Sequence, residues 1–245
     1  ICLEEGAKFK CPLAITDATG TEKDQKMKKL GAQLISGVGA STPHDLFPWP
    51  LFGQHIAAGA TNGNTFFNGA LGARGNNEGP AGVFMAALTG VTPEYDLHLP
   101  ENRLGKVLVD VKVRPKNYVD WAVIGFYISL KLSTHWWDVP VLTGINPDIV
   151  TSDDIIAFCA SMNNPGSMTM WLMERISPEA HTLDQAFGGE KPKEKFVVGK
   201  EEPQEIYDMF PITGNTPEAV EVRFPLTVDR LYKVAEMVRG KKVHK

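Results

Sequence analysis

The densest run of chemistry-bearing side chains in this 245-residue sequence is Arg74, Asn76, Asn77 and Glu78, followed by His98, Glu101, Asn102 and Arg103. An arginine can grip a carboxylate or a phosphate through two parallel hydrogen bonds. Asparagine offers hydroxyl groups both a donor and an acceptor, and a histidine or glutamate can move a proton. These are the groups that a site for a small hydroxylated anion needs. The same spacing also fits an ordinary surface loop, with Arg74 and Arg103 paired to Glu78 and Glu101 and His98 satisfied in a core. Spacing alone does not separate the two.

The other candidate residues carry less. His44 and His55 flank a Pro-rich loop, and two loop histidines eleven apart are a weak signal for metal. His135, Trp136 and Trp137 could stack a base or a ligand, but with no basic neighbourhood they read as packing at a helix end or a subunit contact. His181 and His244 read as surface residues, and Met168, Met170 and Met173 as core filler. No GxxxxGK[ST] loop, GxGxxG, GxSxG or HExxH is present, which removes the common nucleotide-binding, serine-hydrolase and zincin readings.

Composition narrows the class. The chain is 43% hydrophobic and 22% charged, ordinary for a globular protein. A formal net charge of -4 gives no pull toward nucleic acid. The most apolar segment, Val119 to Leu132, is too short to span a bilayer and is interrupted by Asp120. Cys2, Cys11 and Cys159 form no CxxC and no metal-ligand spacing; an odd count argues against a disulfide framework and for a reducing, cytoplasmic setting. No signal peptide is visible, and a chain starting at Ile1 reads as processed or cut short.

The elements that must position these residues alternate between strand and helix, which predicts an α/β fold. Lys8 to Ile15 reads as a strand and Thr21 to Ile35 as a helix, with Thr21 and Asp24 as a loose N-terminal cap. Residues 37–53 are rich in Gly, Ser and Pro and read as an ordered loop. Thr61 to Gly82, rich in Gly and Asn, reads as backbone that can approach a ligand closely, and a short helix follows over Ala81 to Leu88. Lys106 to Val113 alternates valines with polar residues and predicts a strand. A buried helix is expected over Val119 to Leu132, a strand over Val139 to Leu142, and a helix over Ser152 to Ala160 capped by Thr151 or Ser152. Strands over Met168 to Met173 and Phe196 to Val198 and helices over Glu201 to Phe210 and Val228 to Val238 complete the reading. Gly188 to Pro203 reads as an exposed connection and a possible lobe boundary.

Asn68-Gly-Ala-Leu-Gly-Ala-Arg74 with Asn76, Ala87-Leu-Thr-Gly90, Thr92-Pro-Glu-Tyr-Asp-Leu-His98-Leu-Pro-Glu101-Asn102-Arg103 and the following Val-rich strand resemble the aconitase X family, as does Ser177-Pro-Glu-Ala-His-Thr-Leu-Asp-Gln-Ala-Phe-Gly-Gly189. Similarity also runs through Gly53 to His55. The resemblance covers most of the chain in order. It implies an aconitase-like α/β/α domain, with a mixed or parallel sheet flanked by helices, over residues 1–245, without the family's N- and C-terminal parts. It implies loss of water from a small hydroxy acid, as in mevalonate 5-phosphate and cis-3-hydroxy-L-proline dehydratases. A large subunit would work with a small swivelling subunit, and an iron–sulfur cluster or iron would act as Lewis acid. On that reading Arg74 and Arg103 hold the substrate's carboxylate or phosphate. Asn62, Asn76 and Asn102 orient hydroxyls, and His98 is the acid or base.

The sequence departs from the family at the cluster ligands. Gly39-Ala40-Ser41-Thr42-Pro43 stands where the family has a C-T-C-T-P-like segment, and Phe224 stands where it has a G-C-P-H cysteine. Gly75 replaces a threonine. The alternative reading is therefore a subunit that kept the fold, lost the metal, and serves binding or assembly.

Overall fold

A computed structural model describes residues 6–15, 21–34, 50–135 and 137–209, with residues 232, 235, 236, 239 and 240 described singly. The expected helix over Val228 to Val238 lies largely outside these residues, and the segment holding Ser41 to His44, Trp136 and Phe224 lie outside them altogether.

The main sheet is built from β3 (Val107–Val111), β4 (Pro140–Thr143), β5 (Leu172–Met173) and β6 (Glu194–Val198), in the spatial order β5-β4-β3-β6. All its pairings are parallel, with Val109 opposite Leu142 on one side and Phe196 on the other. Parallel neighbours need crossover connections. Helix α4 (Tyr118–Lys131) joins β3 to β4, and α5 (Ser152–Gly166) lies between β4 and β5. The alternation of β3 then sorts side chains onto two faces. Val107, Val109 and Val111 join Leu142, Met173 and Val198 in a core with Trp121, Ile124 and Ile128 of α4 and Phe158 and Met162 of α5. Leu108 turns to the other face, where Val141 and Leu172 meet Leu97, Ala180 and Phe187. Two covered faces suit β4 and β5, which read as short apolar runs, whereas β3 keeps its alternation and β6 leaves Glu194 and Lys195 exposed.

Local chemistry sets most element ends. Helix α1 (Glu22–Leu30) has the expected cap as a full capping box: the Asp24 N–H donates to the Thr21 hydroxyl, and the Thr21 N–H to the Asp24 carboxylate. It stops earlier than Ile35, because Gly31 turns left-handed at φ 108°, and the chain continues into β2 (Gln33–Leu34). β2 pairs in parallel with β1 (Ala14–Ile15), which is all of the expected Lys8 to Ile15 strand that forms. Thr151 and Asp154 make a second capping box on α5, which runs six residues past Ala160 to Gly166. Of the Met168 to Met173 strand only Leu172–Met173 pairs. The stretch expected as an exposed connection contains β6, and α7 (Glu201–Met209) follows it.

The largest departure is α2 (Thr61–Gly69), a helix in the stretch read as irregular. Gly and Asn disfavour helix, but tertiary bonds outweigh that preference. The Thr65 hydroxyl donates to Met168 O, Asn68 Nδ2 donates to Thr169 O, and Trp171 Nε1 donates to Thr65 O. A side chain at Gly69 would place Cβ 2.2 Å from Trp171 Cε2, so only glycine admits that indole. Helix α3 (Pro80–Thr89) follows as expected, with Pro80 in its first turn, and α6 (Leu183–Phe187) is a short helix that the periodicity did not reveal.

Candidate functional site

Residues 53–58 and 72–78 lie side by side as a short parallel pair. Arg74 N donates to Gln54 O and Ile56 N to Arg74 O, both at 2.9 Å, and His55 faces Arg74 across the pair. This brings His55 beside the segment holding the predicted site residues. His98 arrives from a different direction, at the end of a one-turn helix over Asp96–His98. Asn76 holds that turn in place: its Nδ2 donates to Tyr95 O at 3.2 Å, and its Oδ1 accepts from Leu97 N at 2.9 Å. The result is a contact between His55 and His98, whose Nδ1 atoms lie 2.8 Å apart. His98 is 2% exposed, while His55 is open to solvent.

Beneath the turn, Arg103 is 2% exposed and every one of its N–H groups is taken. Nε donates to Glu179 Oε1 at 2.8 Å and Nη2 to Glu179 Oε2 and Asn68 O. Nη1 donates to Asn68 Oδ1 at 3.2 Å and to Leu97 O at 3.3 Å. Asn68 in turn donates to Gly75 O at 2.8 Å and accepts from Gly75 N at 3.0 Å. This network ties α2, the Arg74 segment, the His98 turn and the segment after β5 into one unit. Arg103 therefore departs from the expectation that it grips a ligand. A guanidinium with five filled donors has none to offer, and it positions the His98 turn instead. Asn76 departs likewise, because both ends of its amide hold backbone. Asn62 accepts from Gly63 N, and Asn102 donates to Asp96 O on the exposed rim.

Arg74 behaves differently. Its Nε is buried without a hydrogen-bond partner, as are Glu78 Oε1, His98 Nε2 and both polar atoms of the Asn64 amide. Five of the six such atoms among the described residues thus fall between residues 64 and 98. A buried polar atom left unpaired costs ~1–3 kcal/mol, so each of these is a place able to meet something polar, and Arg74 and His98 are near enough to act on one another electrostatically. Asn64 and Arg74 belong to one neighbourhood, because a Cβ at Gly75 would lie 2.6 Å from Asn64 Oδ1 and 2.7 Å from Ile56 Cγ1. The same crowding accounts for glycine where the family pattern has threonine. Burial first, then electrostatic interaction with His55, Arg103 and Arg74, pushes the His98 imidazole below its ordinary 6.5, toward the neutral ring that can accept a proton.

Residues 16–101 match the family model described as aconitase X first domain, and residues 105–208 match aconitase X second domain. The chain belongs to the aconitase X family. The phosphomevalonate dehydratase large subunit of Thermococcus kodakarensis is 33% identical over 186 residues, 72% of this chain and 46% of that protein. That of Methanosarcina mazei is 30% identical over 224 residues, 90% of this chain and 52% of its own length. The chain thus spans about half the length of the curated relatives it matches. The crystal structure of Thermococcus kodakaraensis aconitase X in its holo form superposes with a TM-score of 0.71 at 25% identity, covering 97% of this chain and 61% of that one. The parallel sheet flanked by helices is the aconitase X α/β fold.

The two described cysteines do not fit a cluster, and Cys2 lies outside the described residues. Cys159 is 1% exposed inside the apolar core of α4, α5 and the sheet, where burial pushes its thiol well above the usual range. Cys11 is exposed at another place in the fold. No group of three or more His, Cys, Asp or Glu residues able to hold a metal occurs among the described residues. No described helix is long and apolar enough to cross a membrane.

The part that four residues play in the site escapes sequence reasoning. His55 reads in the sequence only as a weak metal candidate beside His44, whereas its contact is with His98. Asn64 and Asn68 sit on a helix that Gly and Asn content concealed. Glu179 was visible only as part of a family-like motif.

Proposed function

We propose that this chain carries the first two domains of the large subunit of a hydro-lyase, which removes water from a small hydroxy acid or a phosphorylated hydroxy acid. The observation that supports it most is that Arg74 Nε and His98 Nε2 are both buried and unpartnered, on residues close enough to act on one another electrostatically, in a chain whose relatives are named dehydratases. Elimination of water needs an anchor for the acid, a group to move a proton, and a shielded setting. Arg74 has an unused buried donor for the anion. His98, neutral and shielded, exchanges the proton at Nε2. Asn62 and Asn102 each keep half of an amide open for hydroxyl groups, while Asn76 and Arg103 fix the turn on which His98 sits. The two matched segments work as one unit, because Asn68 Nδ2 of the first donates to Thr169 O of the second, and Arg103 between them bonds both Asn68 and Glu179.

An iron–sulfur cluster or iron, implied by the family, has no ligand set among the described residues, and no step of this proposal runs through one. Relatives named large subunits support a small-subunit partner, and the cysteine usage supports a cytoplasmic setting. The test is dehydration of mevalonate 5-phosphate and of cis-3-hydroxy-L-proline by the protein purified from its source with whatever subunit accompanies it. Loss of a charge-assisted bond of ~1.5–3 kcal/mol predicts that Arg74→Ala lowers kcat/KM roughly 10- to 100-fold, with part restored in Arg74→Lys. Unchanged turnover in Arg74→Ala would overturn its role. Failure of the wild-type protein to dehydrate any hydroxy acid of this class would overturn the function.

A further inference from the structure

The two rings of His55 and His98 are nearly parallel, at 12°, with centroids 5.0 Å apart and Nδ1 atoms at 2.8 Å. Two aromatic faces cannot stack closer than ~3.5 Å, so nearly parallel rings with a 2.8 Å contact must meet edge to edge. The centroid separation agrees: it is what a 2.8 Å bond plus one ring radius at each end requires. This is the geometry of an N–H···N hydrogen bond along the lone-pair direction.

Such a bond constrains both rings. A neutral imidazole carries one N–H, so one Nδ1 donates and the other accepts, and the two rings must adopt opposite tautomers. The far nitrogens then differ in their surroundings. His98 Nε2 is buried with no partner. His55 belongs to an exposed residue. The nearby cations Arg74 and Arg103 favour the neutral His98 ring over the doubly protonated one.

We propose that His55 is the solvent-side half of a two-histidine proton relay, which keeps His98 Nε2 unprotonated and carries its proton between the buried site and water. In the resting pair, His98 Nδ1–H donates to His55 Nδ1, and His55 Nε2–H faces solvent. When His98 Nε2 accepts a proton from the substrate, the Nδ1 proton of His98 passes to His55 Nδ1, and the Nε2 proton of His55 passes to water. Both rings finish in exchanged tautomers. The return of one proton from water along the same route, delivered by His98 Nε2 to a departing hydroxyl, restores them. His55 touches no substrate and is a positioning residue. The relay rests on the reading of His98 as the acid–base group.

The experiment has a spectroscopic arm and a kinetic arm, both on the full chain with its accompanying subunit. Nitrogen-15 spectra of histidine-labelled protein should show His98 with a bare Nε2 and a coupling between the two Nδ1 nuclei across their shared proton. His55→Ala should abolish that coupling and move the His98 proton. A protonated His98 Nε2 in the wild type, or a His98 signal unchanged by His55→Ala, overturns the relay whatever the activity. In turnover, His55→Ala should lower kcat roughly 100-fold, the scale of one acid–base group. KM should hold, the pH–rate profile should shift, and added imidazole should restore part of the rate, which a purely structural defect would not allow. Full kcat in His55→Ala with a dead His98→Ala overturns the relay and leaves the acid–base reading standing. Full turnover in His98→Ala overturns both.

Discussion

Substituting Glu179 by alanine should be among the most damaging single changes in the protein, although its carboxylate serves only to hold Arg103. The carboxylate neutralises an Arg103 guanidinium whose side chain is 1% exposed, through bonds from Nε and Nη2. Removing one partner of a buried ion pair costs about 3–5 kcal/mol, because the remaining charge is left uncompensated. The Glu179 side chain keeps 21% exposure, so water can enter where it was, and the lower end applies, about 3 kcal/mol. With a urea slope of about 3 kcal/mol/M for a domain of this size, the unfolding midpoint should fall by about 1 M. The damage should also reach His98, because Arg103 holds the Leu97 carbonyl beside it. A purified Glu179→Ala protein followed by circular dichroism in urea gives the answer directly. A midpoint shift below about 0.2 M, which is the range of ordinary surface substitutions, would refute the idea that Arg103 is a buried charge held by Glu179. It would return Arg103 to the pool of ligand-binding candidates.

Three further outcomes follow from the same geometry. Gly69→Ala must push Trp171 aside, since its Cβ would lie 2.2 Å from the indole; overpacking of this kind costs about 1–3 kcal/mol and should lower the melting temperature without altering Arg74. Asn76→Ala frees Leu97 N and Tyr95 O, and leaving one such buried group unpaired costs about 1–3 kcal/mol; kcat should fall by more than that loss of stability alone accounts for, read by comparing the rate with the folded fraction. The lowered proton affinity of His98 has a definite sign: below its ordinary 6.5 the unfolded chain binds a proton that the folded one refuses. Stability should therefore decline as pH falls through that region and level off below the folded-state value. A His98→Gln protein should lack that component, and a stability curve identical to wild type would contradict it.

The parts of the fold legible in the sequence were those governed by local chemistry. The alternation of Val107, Val109 and Val111 announces β3, and the Thr21–Asp24 and Thr151–Asp154 pairs mark where α1 and α5 begin. Helix α2 was hidden because its stabilising bonds run to Met168, Thr169 and Trp171, about a hundred residues away. The site divides along the same line. Residue type and the family-like motifs point to Arg74 and His98, each of which keeps one buried, unpartnered nitrogen. They could not tell a ligand-facing arginine from a saturated one, because the carboxylate that fills Arg103 lies 76 positions further on. Nor could they pair His55 with a histidine 43 residues distant. In both cases the decisive quantity is which donors are already used, and that is a property of the folded chain.

The most direct test of the central claim compares His98→Gln with wild type under identical conditions, the protein purified from its source with its accompanying subunit. Conversion of mevalonate 5-phosphate to its dehydrated product is followed by mass spectrometry, and substrate binding by calorimetry. The account predicts that wild-type protein releases one water per substrate, while His98→Gln binds with similar affinity and loses roughly 100-fold or more in kcat. Equal turnover by the two proteins would contradict it.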